Sequence, residues 1–279
     1  DLNSATGGAL TVRGYHGGEL GAGPVEQYVR VVQGVADIAW GLPGYTSSQF
    51  EKTMIVELPG TLSNEDAGYA AMWKAYSDHL ASEFPGTVPV ALWTSEPNVF
   101  IMKDHVIRKP SDLAGLKVRV AGATAADVAT ALGATPVQMP INQVYNALQT
   151  GLIDGVITGS STLNDFKLDE VANSYTFGAN LGRLSFYAVM NKKKYDSLSA
   201  EHRAALDNVR GMPLSKSAED AWNETAIEGV AAARLLDDNT FVDLTEAEAA
   251  AFAAAIAPVT GAYVDAVGGQ AAQAAMQAK

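Results

Sequence analysis

DLAGLKVRVAGATAADVATALGATPVQMPINQVYNALQTGLIDGVITGSSTLNDFKLDEV, residues 112–171, is the stretch that decides the fold of this chain. A glycine-punctuated turn, Asp112 to Gly115, leads into a short β-rich run, Leu116 to Val120. An alanine-rich helical segment over Ala125 to Leu132 follows, then a second extended run, Ala134 to Met139. The Pro140-Ile141-Asn142 turn sets up an amphipathic helix with Val144, Ala147, Leu148 and Leu152 at helical spacing. Ile153 to Ile157 is a compact apolar strand. Short strands alternating with helices imply an α/β layer with crossover connections.

Arg119 sits inside the first of these strands, between Val118 and Val120. A cation in an apolar strand is expensive to bury unless something anionic meets it. On chemistry alone two readings stay open. One is a structural salt bridge, or a side chain that reaches out to water. The other is a guanidinium fork, fixed on a rigid strand, that takes a ligand carboxylate through two parallel hydrogen bonds.

The 279 residues suffice for a large core and one or two domains. An apolar fraction of 48% with 18% charged residues is ordinary globular composition. The absence of cysteine excludes disulfides and thiol chemistry. A net charge of −12 with no offsetting Lys/Arg stripe argues against nucleic acid as a partner. It also makes Arg119 more notable, because an anionic ligand needs a local positive site on an acidic protein. No long uninterrupted apolar run is present, and the alanine-rich end, Ala247 to Ala257, is too weakly hydrophobic to span a membrane.

Along the chain, Ala9 to Tyr15 alternates like a strand, Val25 to Gln33 reads as a helix and Asp37 to Trp40 as a buried strand. That strand runs into a Gly41-to-Tyr45 loop at its carboxyl end, where open α/β sheets bind ligands. Trp40 and Tyr45 are placed to line a pocket there, and as large aromatics they suit a core equally. Asn64 to Phe84 reads as one long helix with Ser63 or Asn64 as its N-cap. Val88 to Leu92 is another apolar strand, ending at Trp93, and Ser95 to Asn98 is the best candidate for a first crossing between two lobes. Leu184 to Met190 returns as a buried strand, Ser199 caps a helix to Val209, and Leu214 to Leu236 is a long amphipathic helix. Phe241 to Leu244 is a short strand, and Thr245 caps the alanine-rich helix after it. The path implies a two-lobed α/β fold with discontinuous domains and a long lobe-spanning helix. The expected division is 1–96 with 185–236 for lobe I, and 97–184 with 237–279 for lobe II. Catalytic motifs are missing: none of the four histidines stands in a nucleophile or zinc context, and no glycine-rich phosphate loop follows a strand. No enzyme and no cofactor is expected.

GLKVRV (115–120), LGATPVQMP (132–140), QVYNALQTGLIDG (143–155) and KLDEV (167–171), in that order and spacing, resemble the solute-binding proteins of tripartite ATP-independent periplasmic (TRAP) transporters, the DctP-like family. Weaker similarity extends over nearly the whole chain, through GGELG (17–21), GVAD (34–37) and VMNKKKYDSL (189–198). The resemblance implies a periplasmic receptor that captures a small organic anion and delivers it to membrane permease subunits. It also implies that Arg119 binds the ligand carboxylate. Against the family pattern, a first strand, most of a helix and an export signal belong before Asp1, so an apolar sheet edge is expected.

Several positions depart from that pattern. A second arginine common in the family is absent around Asn98-Val99-Phe100, and Thr158 stands where the family places a carboxylate-contacting Asn. Ile141-Asn142-Gln143 replaces a usual Phe-Ser-Glu. The expected site is therefore Arg119 on the carboxylate, with Thr158, Asn142 or Tyr145 adding hydrogen bonds. Trp40, Leu42, Tyr45, Trp93 and Ile141 then supply an apolar body, which suits a small monocarboxylate with an aromatic or aliphatic part. A sensor with the same lobes, or an enzyme on a similar scaffold, are the alternatives.

Overall fold

The computed structural model describes residues 2–278. Its first elements are α1 (Leu2–Ala5), α2 (Gln27–Val32), β1 (Ile38–Gly41), α3 (Gly68–Ala75), β2 (Thr87–Thr94) and β3 (Asn98–Met102). The central unit supplies β4 (Lys117–Val120), α4 (Ala123–Ala131), β5 (Thr135–Gln138), α5 (Val144–Gln149), β6 (Gly155–Gly159), α6 (Thr162–Asp165) and β7 (Ser174–Phe177). The chain ends with β8 (Ser185–Asn191), α7 (Lys192–Ser197), α8 (Ala200–Val209), α9 (Met212–Ala233), β9 (Thr240–Asp243), α10 (Glu246–Val267) and α11 (Gln270–Gln277).

Two sheets form. One has the order β1-β8-β2, with β8 antiparallel to both neighbours, and the other the order β5-β4-β6-β3-β7-β9. In the second, β4 is parallel to both β5 and β6, whereas β3 is antiparallel to β6 and β7. The β2–β3 connection at Ser95-Glu96-Pro97 is thus a crossing from one sheet to the other, and the segment between β7 and β8 is the return. The long helix α9 packs on β2 and α3 of one lobe and on α6 of the other, tying the two together.

Several expected elements change under tertiary contacts. Ala9 to Tyr15 forms no strand and stays almost wholly exposed. The long helix over 64–84 starts only at Gly68, turns π-helical over Tyr76–Leu80 and ends in a 3-10 turn, Ala81–Glu83. Neither Ser63 nor Asn64 caps it. Glu219 on α9 does so instead, accepting from Gly68 N (2.9 Å) and Tyr69 N (2.8 Å). Thr245 caps α10 as expected, in a reciprocal capping box with Glu248.

By length and composition α10 is the one described helix apolar enough to cross a membrane. Here Phe252, Ile256, Val259 and Val264 join the main core and the helix packs on α4. In the C-terminal segment β9 pairs with β7 and α10 lies against α4, whereas α11 docks on α3 of the other lobe. Ala272 and Met276 of α11 bury their side chains in that contact. The strand β1 is a sheet edge, less buried than a central strand, and Val25, Val29, Val32 and Val35 beside it are exposed.

Candidate ligand-binding site

Between the lobes lies a cavity with about 440 Å³ of empty space counted out to its mouth. From the first lobe come Trp40, Leu42, Tyr45, Leu184 and Phe186, and the second contributes Arg119, Ile141, Thr158, Gly159, Ser161, Thr162, Asp165 and Phe166. Ser95 of the crossing and Trp222 of α9 complete it. The position follows from topology: β4, β5 and β6 run parallel, and their carboxyl ends face the cleft.

Arg119 forms the floor at 1% exposure. Its Nε donates to the Met139 carbonyl (2.9 Å), while Nη2 is buried without a hydrogen-bond partner. Three arginines are buried among the described residues, and the other two spend their guanidinium groups on protein oxygens. Arg30 donates to the Gly23 and Ala22 carbonyls, and Arg183 to those of Asp66 and Ser63. Among the described residues no carboxylate forms an ion pair with Arg119. Burial pushes the Arg119 pKa below its ordinary value, with the adjacent Tyr45 opposing the shift. An arginine in such a place keeps its charge. An unpaired buried cation facing a cavity is chemically unfinished.

Tyr45 reaches across the cleft. It lies in the 3-10 segment Pro43–Gln49 after β1, and its hydroxyl oxygen accepts from Ile141 N of the opposite lobe (3.0 Å). With the oxygen so engaged, the phenolic proton is free to donate towards the anion that Arg119 lacks. Thr158, on β6, is 1% exposed, and no protein group among the described residues hydrogen-bonds its hydroxyl. Gly159 is glycine because the Glu96 carboxylate sits where a Cβ would be. Glu96 Oε1 accepts from Ser161 N (2.6 Å) and fixes the start of the next wall segment; burial raises the pKa of this carboxyl.

An aromatic wall covers the rest. Phe186 contacts Trp222 (ring centroids 4.5 Å apart), and Trp40 meets both at 6.1 and 5.7 Å. Trp40, 51% exposed, marks the mouth.

Six of the expected residues meet here: Arg119, Thr158, Trp40, Leu42, Tyr45 and Ile141. Trp93, Asn142 and Tyr145 do not line the cavity. Trp93 is 4% exposed and stacks on Phe186 (5.3 Å, 16°), so Phe186 and Trp222 cover it. Asn142 points to solvent, and the Tyr145 hydroxyl donates to Glu170 on the outer surface (2.9 Å). The cause is the 3-10 turn Ile141–Gln143, whose three-residue period brings Val144 under Ile141. Val144, Ala147 and Leu148 become the buried face, and Tyr145 is rotated off it. Phe186 was within reach of sequence reasoning, since strand alternation puts it on the same face as Leu184. Trp222 carried no such signal.

The lobes also touch outside the cavity. Gly44 and Gly122 meet backbone to backbone: a Cβ on Gly122 would lie 2.6 Å from Gly44 Cα. Ala123 N donates to Ser47 Oγ (3.3 Å). Glu57 is buried between the Thr124 hydroxyl (2.5 Å) and the Ser185 amide (3.0 Å) and hydroxyl (2.6 Å). Burial raises the Glu57 pKa, with those hydrogen bonds opposing.

Two lobes hinged around a cleft with a charged floor define a solute-binding protein. Residues 1–265 match the DctP family, described as bacterial extracellular solute-binding protein, family 7, and the chain belongs to that family. It is 25% identical over 270 residues to the C4-dicarboxylate-binding periplasmic protein DctP of Rhodobacter capsulatus, covering 95% of this chain and 80% of the relative. Its fold superposes with a TM-score of 0.93 on a TRAP solute-binding protein of Rhodoferax ferrireducens T118 crystallised with co-purified benzoate (28% identity, 99% of this chain and 88% of that one). A TRAP solute-binding protein from an unidentified marine microbe, in complex with 3-hydroxybenzoate, gives 0.90 (29% identity, 99% and 88%).

Proposed function

We propose that this chain is an extracytoplasmic receptor, periplasmic in location, for a small aromatic monocarboxylate, which it binds without chemical change and hands to TRAP permease subunits. The carrying observation is Arg119, a buried guanidinium with Nη2 unpaired at the floor of an interlobe cavity. A carboxylate placed there gains a charge-assisted pair with Arg119 and hydrogen bonds from the Tyr45 and Thr158 hydroxyls. Trp40, Phe186 and Trp222 then cover a flat apolar body. The monocarboxylate reading follows from the lining, whose cations among the described residues amount to Arg119. Capture of benzoate and 3-hydroxybenzoate by similar proteins supports it. The lobes we assign are 1–96 with 185–236, and 97–184 with 237–269, the terminal helix α11 staying with the first.

A thermal-shift screen over benzoate, mandelate, succinate and glucuronate tests this, because a ligand that binds only the native state raises the melting point. The expected result is a shift with benzoate or mandelate and little with the others. A shift confined to succinate or glucuronate would refute the aromatic monocarboxylate.

A further inference from the structure

Resting on that reading, we infer that Asp165 is a specificity residue, and that the preferred acid carries a hydroxyl on the ring end remote from its carboxylate. The cavity is polarised by depth. Arg119 lies at the floor, 1% exposed, whereas Asp165 lines the same cavity and is exposed at its mouth. Between them the wall is apolar, built from Ile141, Phe186 and Trp222. Asp165 is placed firmly, at the end of α6, which packs on the Trp222-bearing helix α9.

Its carboxylate is chemically unfinished as well. It accepts no hydrogen bond and pairs with no cation among the described residues, although the chain carries 19 lysines and arginines. Partial burial raises its pKa. A carboxylate is an acceptor only. The complement of this cavity is therefore a molecule with an anion at its inner end, a flat middle and a neutral O–H donor at its outer end. An unsubstituted ring would leave the rim carboxylate partly desolvated and unpaired, which disfavours it.

Calorimetric titration of the full chain, Asp165→Ala and Asp165→Asn with benzoate, 3-hydroxybenzoate and 4-hydroxybenzoate tests this. A hydrogen bond to a charged but half-exposed acceptor predicts that one hydroxybenzoate binds the unaltered protein roughly ten-fold more tightly than benzoate. In Asp165→Ala that ratio should fall to near unity, through weaker hydroxybenzoate binding and tighter benzoate binding, and Asp165→Asn should keep part of it. A merely structural role would move all three ligands together. Survival of the ratio in Asp165→Ala, or equal affinity of the unaltered protein for all three acids, overturns the inference and leaves the carboxylate receptor standing. Failure of all three acids to bind the unaltered protein overturns the underlying reading, and this inference with it.

Discussion

Closure can be tested at a single atom. Gly122 and Gly44 face each other across the cleft, and a methyl group on Gly122 would come within 2.6 Å of Gly44 Cα and 2.9 Å of its carbonyl oxygen. Both neighbours are backbone and cannot swing aside. Gly122 is extended, at φ −158° and ψ −173°, so alanine costs nothing conformationally and the lobe that carries it should fold normally. Gly122→Ala therefore acts on the closed state alone. Overpacking of this kind costs about 1–3 kcal/mol, which is roughly five- to 150-fold in affinity when binding requires closure. Gly44→Ala is the graded control, since its added methyl would meet Gly122 Cα at 3.3 Å, where a shift of a few tenths of an ångström suffices. Calorimetry should rank affinities as unaltered, then Gly44→Ala, then Gly122→Ala. Small-angle scattering should show the least ligand-induced compaction in Gly122→Ala. Unaltered affinity and compaction in that variant would refute the closure argument.

Other consequences follow from the same contacts. Trp222→Ala removes an aromatic wall panel and should weaken an aromatic acid by about ten-fold or more, with a smaller effect on acetate; equal losses for both would argue against ring recognition. Glu57 has a pKa raised by burial, so the folded state holds its proton more tightly than the unfolded chain does. Its contribution to stability is full below the ordinary glutamate pKa of about 4.3 and declines as pH rises through the raised value. Glu57→Gln should flatten this fall in chemical-denaturation curves taken across that range, since a side-chain amide can still serve Ser185 and Thr124. An unchanged pH profile would remove Glu57 as the cause.

Much of the second lobe was legible in its sequence because each signal there is local. Arg119 announces itself as a charge inside an apolar run, and strand, turn and helix signals set the elements around it in order. The aromatic wall was legible only at Trp40, since it is assembled from β1, β8 and α9, which lie far apart in the chain. Trp222 reads as one more apolar position on a long helix until α9 is seen to cross both lobes. Tyr145 was misplaced because a single 3-10 turn shifts the helical phase, and such a turn leaves no clear mark on the hydrophobic pattern. The capping of α3 by Glu219 is likewise non-local, and no cap search near Ser63 would find it.

The proposed pairing of Arg119 with a ligand anion is tested directly by Arg119→Met. Methionine fills similar space without the charge, so the ligand-free variant should melt no lower than the unaltered protein, because an uncompensated buried cation is removed. Binding should fall by about 2–5 kcal/mol, and a benzoate-induced rise in melting temperature, measured side by side on both proteins, should disappear in the variant. A benzoate shift that persists undiminished in Arg119→Met would contradict the account.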